Sequence, residues 1–318
     1  MSTTEPMLAA AGVAPANRPA PNNRPSLRQR EAASRTSRTL VRRRLVNGTM
    51  VGLLTLSAIV ATLPLLFILY HLARSGASSL SVDFFTRDPR SVGETGGGMA
   101  NAIIGTLIVV GVACAIGLPI GVGAGLYVAE QRHTRLATVV RFLADVLNGL
   151  PSIVMGIFAW QFLVRPVGHF SALSGGIALA AMLVPMVTRT TEEMVALVPH
   201  ALREAALALG YSRARTGLAI VLRTATAGIV TGALVAVARI AGETAPLLFT
   251  ALGNQFRSFS LSQPIAALPL QIYQYAVSPY EDWHRQAWAG ALVLISIVLI
   301  ISIVARVATR GHGDGSND

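Results

Sequence analysis

From Val46 to Leu72 the chain runs without a single Asp, Glu, Lys or Arg. At about 1.5 Å per residue, a helix of that length exceeds the ~30 Å hydrocarbon core of a bilayer and crosses it with tilt. Five further apolar stretches follow: Gly96 to about Tyr127, Val139 to Val164, Ala172 to Val198, the apolar run after Arg223, and Ala287 to Val307. The fold class expected is therefore an all-α polytopic membrane protein with six transmembrane helices.

Composition agrees and narrows the chemistry. Hydrophobic residues make up 53% of the chain and charged residues only 13%, with a mean hydropathy of +0.57, outside the range of a soluble domain of this length. The net charge of +11 comes from arginines in the first tail and at the edges of the apolar stretches. That is a topology signal, so nucleic acid is not expected as a partner. Arg42, Arg43 and Arg44 abut the first stretch and place residues 1–45 in the cytosol. With an even number of spans the C terminus is cytosolic too. The 1–45 tail, rich in Arg, Pro and Ala, is expected to be disordered, and no apolar run precedes Val46 to act as a cleaved signal peptide. Residues 46–318 form the membrane domain.

Every one of the 26 basic residues is arginine. Without lysine there is no phosphate-binding lysine for a standard P-loop, and no Schiff-base chemistry. If ATP drives this protein, a partner hydrolyses it. Cys114 is the sole cysteine and lies in an apolar stretch, so no intramolecular disulfide forms, and the histidines show no metal-ligand spacing. The chain is not expected to be an enzyme, nor to bind a cofactor or metal of its own.

Two stretches carry chemistry. Pro199 to Leu209 reads as a short helix, with proline at its start and Gly210 as its stop. Ala201, Leu202, Ala205, Ala206 and Leu209 share one side and Arg203 and Glu204 flank it. A helix of this length is marginal alone and needs a packing partner. The second stretch holds Arg239 and Glu243, four apart in an otherwise apolar segment, where helical spacing lets them pair. Charge at that depth costs at least roughly 2.5–3.5 kcal/mol at a bilayer centre and belongs against protein or a water-filled path. Either a structural ion pair or a substrate path meets that condition. Arg189, Glu192 and Glu193 raise the same alternative one span earlier, with Arg189 and Glu193 also four apart; there an arginine near the helix end can also snorkel to the interface.

Smaller signals complete the reading. Gly117, Gly121 and Gly125 form a small-residue seam that predicts a close helix neighbour. Gly149-Leu150-Pro151 is expected to interrupt the third span, as a plain kink or as backbone lining a cavity. Pro64 is expected to bend the first.

Glu204-Ala205-Ala206, three residues, Gly210, nine residues, then Ile220 and Leu222 resembles the EAA loop of ABC importer permeases, except that Arg223 stands where a proline usually follows the leucine. Arg239-Ile-Ala-Gly-Glu-Thr-Ala-Pro-Leu-Leu248 resembles a signature of the PstA-type permeases of phosphate importers, and the segments at Gly96–Leu107, Leu147–Gly156 and Val184–Thr190 are similar to the same family. The resemblance covers about residues 96–310. It implies the type I ABC importer permease fold in a bacterial cytoplasmic membrane, with the EAA loop (about 199–223) coupling to an ATPase through Arg203, Glu204, Ala205, Ala206 and Gly210. It implies Arg239, Glu243, Arg189, Glu192 and Glu193 as substrate-path residues. The partners implied are a C-type phosphate permease in a heterodimer, an ABC ATPase dimer holding ATP and Mg, an extracytoplasmic phosphate-binding protein, and membrane lipid. The alternatives are the same architecture for another oxyanion, such as sulfate or molybdate, or a secondary phosphate carrier. The EAA loop argues against the carrier.

Overall fold

A computed structural model describes residues 27–310 apart from 92, 93 and 95. Among the described residues the chain is helical, with only two isolated bridges, Pro89 to Gly97 and Leu252 to Ile265. It divides into two compact units after Phe67. The first contains most of α1 (Leu27–Ala77), which passes through Pro64 without interruption. Helix thus occupies 27–45, where the sequence suggests disorder. That segment is rich in Arg, with Leu and Ala beside it, all strong helix formers, and its nearest proline is Pro25. The rest of the expected tail lies outside the described residues.

The second unit begins with the end of α1, where His71 meets Trp288 edge-on at 4.8 Å. A short α2 (Val82–Thr86) is capped by the Ser81 hydroxyl. Next come α3 (Ala100–Glu130), α4 (Arg135–Gly149) and α5 (Ser152–Ala159). A π-turn at Trp160–Val164 leads into α6 (Arg165–Val167). The chain then forms α7 (Ala172–Ala196), α8 (His200–Ala208) and α9 (Arg213–Arg215). A second π-turn, Thr216–Val221, runs straight into α10 (Leu222–Ala241). Finally come α11 (Ala245–Thr250), α12 (Leu268–Ala276) and α13 (Glu281–Arg310).

Among the described residues five helices are long and apolar enough to cross a membrane, six if α4 and the α5–α6 segment count as one span. Those two turn through 107° at the break between Gly149 and Ser152. The expected interruption is there: Leu150 caps α4 in an extended conformation and Pro151 opens α5.

The α3–α7 pair is the centre of the fold. A Cβ on Gly117 would fall 2.9 Å from Leu183, and one on Gly121 would fall 2.7 Å from Val187. A Cβ on Gly125 would crowd the Thr188 carbonyl and Thr191 in the same way. The glycine seam therefore meets α7 as its spacing predicts. Around it Val109, Leu179, Leu183, Val187, Ile240 and Leu270 form the buried core, to which α10 and α12 contribute.

Candidate functional site

Ionisable residues gather at two places on the α3–α7 pair and leave a third exposed. The first is the inner face of α4 against α7. Arg189 donates to Asp145 at 2.9 Å and to Glu192 at 2.7 Å, and Arg141 reaches Glu192 at 2.6 Å. The four charges alternate, Asp145–Arg189–Glu192–Arg141, and cancel. Arg189 is therefore paired through the i+3 carboxylate and a second helix, not with Glu193 as its four-residue spacing suggests. Glu193 is exposed and makes no ion pair among the described residues. The physical reason is that Glu192 points toward α4, where Arg141 adds a second attraction; Glu193 lies around the helix from it. Sequence reasoning did not assign Arg141 and Asp145 to the site, although their i,i+4 spacing on α4 places them on one face.

The second place is the short helix α8. Its start is one residue later than expected, at His200 with Pro199 as cap. It ends as expected: Gly210 takes φ +84, Gly210 N donates to Leu207 O at 3.0 Å, and Tyr211 N donates to Ala206 O at 3.1 Å. That pair of bonds is the Schellman arrangement, and its left-handed residue is the reason for a glycine. Arg203 anchors the helix: it donates to the Val195 carbonyl at the end of α7 at 2.9 Å and lies 3.3 Å from Glu130 at the end of α3. Of the predicted apolar side, Ala206 alone is buried. Ala201, Leu202, Ala205 and Leu209 are exposed, Leu209 by 80%, and so is Glu204. Among the described residues none covers this face.

Arg239 and Glu243 do not pair. The helix stops at Ala241, Gly242 takes the cap, and Pro246 restarts the chain as α11. Helical i,i+4 proximity therefore ends two residues short of Glu243. Arg239 sits in the last turn of α10, where the helix dipole favours a cation. It is exposed, with no ion pair among the described residues. Further along the chain, Pro246 packs against Gly156 of α5, where a Cβ would fall only 2.9 Å from the Pro246 Cα.

No cluster of metal-ligating side chains occurs among the described residues.

The comparisons with known proteins fit this geometry. Residues 117–311 match the family of binding-protein-dependent transport system inner membrane components. The Haemophilus influenzae phosphate transport system permease protein PstA is 48% identical over 262 residues, covering 82% of this chain and 93% of that protein. The Pasteurella multocida protein of the same name is 46% identical over 266 residues, 83% of this chain and 95% of that one. A chain of the inward-facing MetNI methionine ABC transporter shares the fold with a TM-score of 0.56 at 19% identity, covering 67% of this chain and 96% of that one. The helical architecture is thus that of ABC importer permeases, which have no ATPase site of their own and work in assemblies with another permease, an ATPase and a binding protein. The chain belongs to the family of binding-protein-dependent transport system inner membrane components, as a PstA-type phosphate permease of the inner membrane.

Proposed function

We propose that this chain pairs with a C-type phosphate permease to form the translocation path of an ATP-driven importer, with both termini and α8 in the cytosol. An ABC ATPase dimer holding ATP and Mg receives the exposed side of α8, around Leu202, Ala205 and Leu209, in a surface groove. A phosphate-binding protein delivers cargo to the opposite end. Hydrolysis moves α8; Arg203 passes the movement to the ends of α3 and α7, and the path opens alternately to the two sides.

Within the path Arg239 is the phosphate counter-charge. The observation that carries this is the contrast between two arginines. Arg189 already has two carboxylate partners, whereas Arg239 is exposed and unpaired within the described chain. An arginine with free donors at a helix end in a membrane protein suits a passing oxyanion. Glu243 acts through the local field, and the Arg189–Glu192 network holds α4 against α7. The test is ATP-dependent phosphate uptake by vesicles carrying the full complex. Arg239→Gln is expected to lower uptake at least about tenfold, equivalent to about 1.4 kcal/mol of transition-state stabilisation, with the ATPase still bound. Unchanged uptake would make Arg239 a packing residue.

A further inference from the structure

At the end of the fold away from α8 lies a cavity of about 250 Å³. Asn101, in the first turn of α3, lies about 44 Å along that helix from Glu130, at 1.5 Å per residue. The cavity is walled by Arg90, Asn101, Gln255, Gln271, Gln274 and Tyr275, among others. Its lining has one cation, several amides and no carboxylate. The walls are tied together: Arg257 bonds Asp88 at 2.7 Å and also the Thr86 carbonyl, joining the segment before Arg90 to the loop after Gly253.

Three observations mark this as a binding site. Asn101 is 3% exposed; its Nδ2 donates to the Asn254 carbonyl at 2.7 Å, while its Oδ1 is buried with no partner. A buried acceptor without a donor costs about 1–3 kcal/mol. Leu252, in the wall, has φ 59 and is the single non-glycine residue with positive φ among those described. Such strain collects where ligands are held. Tyr275 is 5% exposed. Burial pushes its phenol up, the Gln271 hydrogen bond opposes the rise, and the Asp282 charge adds to it. The phenol therefore keeps its proton at neutral pH and remains a donor.

We propose that this cavity is an anion site distinct from Arg239, taking a protonated tetrahedral oxyanion, hydrogen phosphate, between Arg90, the glutamine amides and Asn101. Arg90 supplies positive charge, and the amides and Tyr275 supply donors to the bare oxygens. Asn101 Oδ1 accepts from the one oxygen that still carries hydrogen. An anion without a proton, such as sulfate at neutral pH, leaves that acceptor unpartnered and is selected against. The choice of phosphate rests on the importer reading; the cavity's preference for a protonated oxyanion does not.

The experiment is phosphorus NMR of inorganic phosphate added to the assembled, solubilised complex without the binding protein. Wild type is expected to broaden the phosphate line, and sulfate is expected not to reverse it. Asn101→Asp, equal in shape but carrying a negative charge, is expected to abolish the broadening. Gln274→Glu, on the exposed rim where folding is not at stake, should weaken it several-fold. Copurification of the ATPase shows that each variant has assembled. No broadening by wild type, broadening retained in both variants, or reversal by sulfate overturns the site. Uptake by wild-type vesicles is measured in parallel. Absent uptake with intact, Asn101-dependent broadening refutes the importer reading and leaves the site standing.

Discussion

Arg203 lies 3.3 Å from Glu130, joining α8 to the last residue of α3. The same guanidinium donates to Val195 O of α7, so one side chain on α8 holds both long helices. Arg203→Gln and Glu130→Gln are each expected to reduce phosphate uptake several-fold while the ATPase still copurifies. A double-mutant cycle on ATPase-coupled uptake should give a coupling of about 0.5–3 kcal/mol. Additive effects would show that the two residues act separately.

Glu192 accepts from Arg141 and from Arg189, and its side chain is only 15% exposed. Glu192→Gln removes the charge that both guanidiniums share and is expected to cost about 1–3 kcal/mol. Glu193→Gln, on an exposed and unpaired carboxylate, is expected to change stability by no more than about 0.5 kcal/mol. Thermal denaturation of the purified complex distinguishes them, and equal effects would contradict the network.

Gly121 is placed so that a Cβ meets Val187 at 2.7 Å, whereas a Cβ on Gly111 meets nothing within 4 Å. Gly121→Val is therefore expected to cost at least about 1–3 kcal/mol through overpacking. Gly111→Ala in the same helix is expected to be neutral or to stabilise by about 0.4–1 kcal/mol. Expression level and thermal stability report both.

Gly210 holds φ +84 and open space surrounds its Cβ position. Gly210→Ala meets no clash yet is expected to cost about 1 kcal/mol in backbone strain. Because the strain falls at the end of α8, affinity for the ATPase should fall along with stability. Affinity unchanged within error would detach the turn from docking.

The spans, the glycine seam, the break at Gly149-Leu150-Pro151 and the stop at Gly210 were legible in the sequence because each rests on local chemistry. Length, small-residue spacing and backbone restriction act within a few residues of their cause. The charge pairings were not. Spacing of four offered Arg189 to Glu193 and Arg239 to Glu243, but a second helix redirected the first and a helix terminus dissolved the second. Glu130 met Arg203, and Arg141 met Glu192, only once α3 lay beside α8 and α4 beside α7, which no periodicity along one helix reveals. Asn101 stood inside the Gly96–Leu107 segment with nothing in the sequence to single it out. Its significance lies in an acceptor left bare by tertiary packing.

The glycine seam has a mechanical consequence. Helices in such close contact cannot slide or bend independently without colliding, so α3 and α7 behave as one stiff beam. Arg203 grips that beam by both members at one end, through Glu130 and Val195. Asn101 is part of the other end. If α8 couples to an ATPase as proposed, a push on it would travel along this beam as a lever stroke, without any chain of intermediate side-chain switches.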